Sequence, residues 1–272
     1  AKLGGRVILE CQKPLVRLLR NSDGLGVDRV MARGVQRPKF DTHFPLMSLP
    51  LIFKTTPKTV PSDMPYLKAD DRSWTLWRKR FLDDKNFKVG LVWAGNPTHS
   101  KDQHRSIGLE ALKPLLETAG ASFYSLQVGP RAQDCLTVPT DKLTNLAPDL
   151  FDFAETAAAV SHLDLVITVD TSVAHLTGAL GRPVWVLLPF VPDWRWLTER
   201  EDSLWYPSMR LFRQSQPESW GPVIEQVRTE LARLAGKGGK GGKSRVRKAT
   251  ARKPSKAKAA GAKRKAVKKP KK

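Results

Sequence analysis

Four short runs, 88–94, 122–128, 164–169 and 184–188, read as strands rich in apolar residues, without the polar–apolar alternation of a half-exposed sheet. Helical stretches separate them. Residues 109–119 run up to Gly120, 152–162 begin at Asp152, and 172–180 are closed by Gly181. Glu155 stands three residues after Asp152, the spacing of a capping box. Strands that lack alternation are covered on both faces, and a covered parallel sheet needs a helix on each crossover. This alternation predicts a parallel sheet wrapped by helices, of Rossmann type. An amphipathic stretch at 220–234 supplies a last helix.

The first 72 residues repeat this pattern in a shorter form. A β-prone run at 6–10 precedes a helical stretch at 15–20 with Pro14 at its first turn, a favourable place for proline. Turn residues fill 21–26, and 27–31 is the next strand. The pattern then weakens: 40–53 is apolar but broken by Pro45 and Pro50. Pro57, Pro61 and Pro65 mark 54–72 as a linker, and a helix at 73–81 opens the following block. The chain therefore divides, by expectation, into a partial Rossmann-like lobe with linker at 1–72, a second Rossmann-like lobe at 73–235, and a tail at 236–272.

Charge separates the tail from the rest. Of 47 Lys and Arg, 17 lie in 236–272, which contains no acid; the preceding residues hold 30 against 26 Asp and Glu. The net charge of +21 is thus mostly the tail's. Its Lys, Ala, Gly and Pro cannot bury enough apolar surface to fold alone, so disorder is expected there. Such a segment binds polyanions, nucleic acid among them, without reading sequence. A dedicated nucleic-acid protein carries its basic face on the fold, and this fold is nearly neutral. Two cysteines, Cys11 and Cys135, are too few and too far apart for a disulfide framework or a thiolate zinc site. No apolar run is long enough to span a bilayer, and the first residues lack signal-peptide character, which places the protein in the cytoplasm by expectation.

In a parallel α/β sheet, ligands bind beyond the carboxyl ends of the strands. Those ends are polar here. Gly95 to Ser106 follows the first strand of the second block, with Asn96, Lys101 and Arg105 in it. Asp170, Thr171, Ser172 and His175 follow the strand at 164–169. Thr171 and Ser172 open a helix, whose free N–H groups and dipole attract phosphate, and their hydroxyls are expected in the crevice. His175 lies one turn in and leans toward that end. Asp170 suits a hydroxyl rather than a phosphate. Asp-Thr-Ser is equally an ordinary N-cap, and His175 equally a core residue. Arg105 can grip a diphosphate with its fork; Lys101 fits a solvated loop as well. Trp194, with Trp196, Trp205 and Tyr206, can stack on a base or sugar, though packing is the more common role for such a cluster.

At these residues the chain resembles glycosyltransferase family 9, the heptosyltransferase-like proteins, and especially the domain of that kind found after tetratricopeptide repeats in bacterial proteins. The resemblance covers about residues 4–232 and rests on three stretches. Val169-Asp170-Thr171-Ser172-Val173-Ala174-His175-Leu176 is similar to the family's Asp-Thr-small-x-x-His-Leu motif. Gly90-Leu91-Val92-Trp93-Ala94-Gly95-Asn96, with Arg105-Ser106-Ile107, is similar to its strand and phosphate loop. Pro192-Asp193-Trp194-Arg195-Trp196 and Trp205-Tyr206-Pro207 are similar to the repeat-associated subgroup. The resemblance implies a GT-B-like α/β fold of two lobes with parallel sheets, the amino-terminal one incomplete. It implies donor-site roles for Asp170, Thr171, Ser172, His175, Arg105 and Asn96, with Lys101 and Trp194 as secondary candidates. The implied ligand is a nucleoside diphosphate sugar, transferred with inversion to an unidentified acceptor, with neither metal nor cofactor. The family's first βα unit, which carries a candidate catalytic Asp, has no counterpart here, so no catalytic residue is assigned; Glu10 and Asp41 fit structural roles better.

Overall fold

The computed structural model describes residues 4–238. In chain order it has β1 (Ile8–Cys11), α1 (Val16–Arg20), β2 (Arg29–Ala32), α2 (Leu49–Ile52), α3 (Asp71–Phe81) and β3 (Phe87–Val92). Then follow α4 (Asp102–Arg105), α5 (Leu109–Leu116), β4 (Ala121–Ser125), β5 (Thr144–Asn145), α6 (Phe153–Val160) and β6 (Leu165–Val169). The chain continues with α7 (Ser172–Ala179), β7 (Val184–Leu188), β8 (Met209–Arg213) and α8 (Gly221–Gly238). Strands β1 and β2 form a two-stranded parallel sheet. The other six form a second sheet in the order β5-β4-β3-β6-β7-β8, parallel throughout. The α/β class with two parallel sheets is the one the sequence implies.

Both faces of the large sheet are covered, as the missing alternation predicts. Val166, Val184, Val186 and Leu188 face one apolar core with Ala157, Ala158, Val173, Leu176 and Trp77. Leu165, Ile167, Val169, Trp185 and Leu187 face the other, with Leu112, Leu115, Val227 and Leu231 of α5 and α8. Small side chains bring the layers close. Ala154, Ala157, Ala158 and Ala159 of α6 are fully buried. A Cβ added at Gly90 would stand 2.6 Å from a Leu163 methyl, so this strand position has no room for a side chain.

An ion cluster helps join the first segment to this body. Arg17 of α1 donates Nε to Asp152 Oδ2 and Nη2 to Oδ1, both at 2.8 Å, and Nη2 also to Glu155 Oε1 at 2.5 Å. Ser73 Oγ and Trp77 Nε1 of α3 donate to the same Glu155 carboxylate, at 2.8 and 2.7 Å. Asp152 caps α6 as expected, accepting from the N–H of Ala154 and Glu155. The capping box is only half formed: Glu155, instead of turning back to its own helix start, is spent on α1 and α3. Burial raises the Asp152 carboxyl, but Arg17 and the helix N–H groups outweigh it and hold the group below its usual range. Next to this cluster Leu18 is buried in the same core as α6 and α7.

Three expectations need correction. Residues 209–213 are an edge strand, β8, unanticipated because Arg210 and Arg213 interrupt the run. The helix at 109–119 ends at Leu116. The last helix continues to Gly238, past the expected start of the tail; the remaining tail, 239–272, lies outside the described residues.

Candidate functional site

Counted within the large sheet alone, the strand order is 3-2-1-4-5-6, and the direction of winding reverses between β3 and β6. Beyond the carboxyl ends of two such strands a crevice opens, because the following loops diverge to opposite sides. The loop after β3 carries Asn96, Lys101 and Arg105, and the turn after β6 carries Asp170, Thr171 and Ser172. The two segments singled out in the sequence are therefore neighbours across this switch point.

Arg105 spans it. Its Nη1 donates to the backbone carbonyl of Asp170 at 3.0 Å, and its Nε to Asp102 Oδ1 at 3.1 Å. The loop that delivers it is closed at its base, where Gly95 N–H donates to Ser106 Oγ and Ile107 N–H to the Trp93 carbonyl, both at 2.9 Å. Gly95 is required by a close approach: a Cβ there would stand 2.5 Å from both Arg105 Nη2 and Asp102 Oδ1. Neither Nη2 of Arg105 nor the Asp170 carboxylate makes a hydrogen bond among the described residues, although Asp170 is buried.

The start of α7 differs from expectation in one respect. The Thr171 hydroxyl turns inward and pairs with Thr168 Oγ1 at 3.0 Å; it does not face the crevice. Thr171 therefore makes no side-chain cap. The first-turn N–H groups of Ser172 and Val173 keep no acceptor among the described residues, and such groups favour an anion. Ser172 itself is exposed.

His175 sits behind this turn in an aromatic cage. Nδ1 is 3.1 Å from the Tyr206 hydroxyl, and its ring stacks on the buried Trp196 at 5.1 Å. Burial lowers its pKa; Asp170 and Asp193 pull it up and Arg195 pushes it down, and the net direction is down, toward the neutral ring. Burial and the neighbouring Tyr66 push the Tyr206 phenol up. The Tyr206 ring lies over Gly178, where an added Cβ would come within 2.4 Å of it. The cage thus fixes His175 by packing and one polar contact.

The remaining candidates are less engaged. Asn96 is exposed, and its Oδ1 accepts from Thr98 N and Oγ1 at 3.1 and 3.0 Å, so its carbonyl shapes the loop. Lys101 is exposed and forms no ion pair among the described residues. Trp194, on the loop after β7, packs edge-on against Trp205 at 6.3 Å with Arg195 over its ring. No group of three or more His, Cys, Asp or Glu able to hold a metal occurs among the described residues.

Two glutamines were not anticipated. Gln127, buried beyond β4, accepts from Trp93 and Ala94 N–H at 3.1 and 2.9 Å and donates to the Ala94 and Val128 carbonyls. It fixes the end of β3 from which the Arg105 loop departs. Gln214, beyond β8, accepts from Phe190 N–H at 3.0 Å in the same manner at the end of β7. Apart from the Gln127–Val128 bond, these bonds join residues 24 to 34 apart in sequence, which leaves no local pattern to read.

Residues 130–187 match the family model described as glycosyltransferase family 9 (heptosyltransferase). That segment is similar to glycosyltransferase family 9. It runs through β5, α6, β6, α7 and most of β7, and includes Asp170, Thr171, Ser172 and His175. Arg105, Lys101, Asn96 and Trp194 lie outside the family 9 match. Protein FlbA of Caulobacter vibrioides is 28% identical over 192 residues, covering 67% of this chain and 31% of FlbA; the chain thus spans under a third of that relative. Among solved structures, a family 9 glycosyl transferase from Veillonella parvula is 13% identical with a TM-score of 0.47, over 76% of this chain and 64% of its own. The E. coli ADP-heptose LPS heptosyltransferase II is 16% identical with a TM-score of 0.44, over 65% and 57%.

Proposed function

We propose that the chain binds a nucleoside diphosphate sugar in the crevice between β3 and β6, and that it is built for transfer of that sugar with inversion to an acceptor. The observation that carries this reading is Arg105, held across the switch point by the Asp170 carbonyl and Asp102, opposite the uncapped first turn of α7. Its Nη2 and the N–H groups of Ser172 and Val173 take the diphosphate. The Asp170 carboxylate, repelled by phosphate, takes a sugar or ribose hydroxyl. His175 holds the turn in place as a neutral ring. Departure of the diphosphate leaves negative charge, and fixed donors in a part-buried site stabilise it without a metal. Asn96, Lys101 and Trp194 border the ligand. No side chain is assigned as general base.

The reading includes a division at residue 72 and at the tail, and cytoplasmic action; no described helix is long and apolar enough to cross a membrane. The charge of 236–272 favours a second, independent activity, retention of polyanions such as nucleic acid.

Calorimetric titration of the chain with a panel of nucleoside diphosphates and their sugars tests the site. One member should bind saturably, and Arg105→Ala and Asp170→Ala should each weaken it by about tenfold or more, since a hydrogen bond to a charged group contributes about 1.5–3 kcal/mol. Binding by no panel member, or unchanged binding by both variants, would overturn the reading.

A further inference from the structure

Within residues 40–53, Phe40, Phe44, Leu46, Met47, Leu51, Ile52 and Phe53 are all exposed, Met47 at 71%, Leu51 at 82% and Phe53 at 66%. Pro45 and Pro50 confine this stretch to a 3-10 turn at Leu46–Ser48 and the single turn of α2, so its apolar side chains cannot fold onto a face of their own. Water-exposed apolar side chains in such number mark an interaction surface. Around them stand Arg33, Arg37, Lys39, Lys54 and Lys58, all exposed, against one acid, Asp41. Arg37 is paired with Glu10; the other four form no ion pair among the described residues.

We infer that residues 33–58 dock on an anionic lipid surface, with Met47, Leu51 and Phe53 entering the acyl boundary and the flanking lysines and Arg33 held at the headgroups. Apolar side chains ringed by Lys and Arg are what an interface between anionic headgroups and acyl chains selects. Charge argues against the other occupants. A second copy paired through the same patch would set these cations against their own equivalents, since a two-fold interface is self-complementary. The tail at 236–272 carries no acid and would be repelled as well.

The tail complicates the test, because its charge alone would hold the chain on anionic vesicles. At about 1 M salt the Debye length is ~3 Å and that attraction is screened, whereas apolar insertion persists. The full chain is therefore sedimented at that salt with vesicles of phosphatidylcholine containing about one-third phosphatidylglycerol. The wild-type chain should stay on the vesicles, and Met47→Glu with Leu51→Glu should lower its partitioning roughly a hundredfold. Both residues are too exposed to unfold the chain when replaced, and an unchanged melting temperature verifies this. Release of the wild type by salt, or retention of the double variant, would overturn the inference. So would a mass in solution that doubles for the wild type alone and no vesicle binding, which would assign the patch to a second copy. Capture of an acidic protein by the patch without vesicle binding would overturn it equally.

Discussion

The position of His175 in the sequence, one turn into a helix at a strand end, leaves its role open between ligand contact and packing. Its surroundings favour positioning: Trp196 covers its face, the Tyr206 hydroxyl meets Nδ1, and burial disfavours the charged ring. A titration follows. The native pKa lies below the ordinary 6.5, so the unfolded chain binds more protons than the native one as pH falls below that value. Stability is then full above about pH 6.5 and is lost on acidification toward the native pKa. His162 behaves alike, lowered by burial and by Arg182, Arg78 and Lys88 against the raising effect of the Trp74 carbonyl. Melting temperature should therefore drop between about pH 7 and about pH 5, and less in His175→Gln than in the wild type. An identical drop in both would show that this ring does not titrate against folding.

At the scale of elements, the proposed function rests most on the loop after β3. Gly95→Ala should displace the Arg105 guanidinium, whose nitrogen would lie 2.5 Å from the new Cβ. The expected result is about tenfold weaker diphosphate binding with little change in melting temperature, since the collision involves side-chain ends at a partly open loop. Calorimetry with the best panel member checks this; unchanged affinity would mean Arg105 has room to yield. Glu155 predicts the opposite split. It receives Arg17, Ser73 and Trp77, all within 2.8 Å; Glu155→Ala would leave Arg17 to Asp152 alone and take this acceptor from the Ser73 hydroxyl and Trp77 Nε1 in a mostly buried place. Breaking such a buried pair costs about 3 kcal/mol, visible in urea unfolding, with diphosphate affinity retained by the folded fraction. These two residues also show what a sequence discloses. The strands β3, β6 and β7 were legible because uniform apolarity has one common cause, coverage on both faces. The Asp152 cap was legible because it is local. The real partners of Glu155, and the partners of Gln127 at the end of β3, lie 33 to 138 residues away. The inward turn of Thr171 depends on Thr168, only three residues off, but on a backbone angle that residue types do not specify.

For the whole molecule, the strand order places the reversal of winding where the polar loops fall, and residue types alone could not establish that coincidence. The two charge regimes of the chain predict separable activities. On the proposed reading the tail attracts polyanions through counterion release, and its contribution should vanish with salt and with deletion. The proposed crevice site relies on Arg105 and a helix terminus held by strands, so its binding should be indifferent to both the tail and moderate salt. The cut belongs after Gly238 rather than at 236, because α8 continues to that residue and Leu231 and Ala235 are buried in the fold. Removing 239–272 takes away 16 of the 17 basic residues of the tail. Retention on a DNA column near physiological salt should be lost, while calorimetric affinity for the sugar nucleotide stays within about twofold, a difference of only ~0.4 kcal/mol. Equal DNA retention after the deletion would place a polyanion site on the fold, and its near-neutral balance of charge would then have to conceal a local basic face.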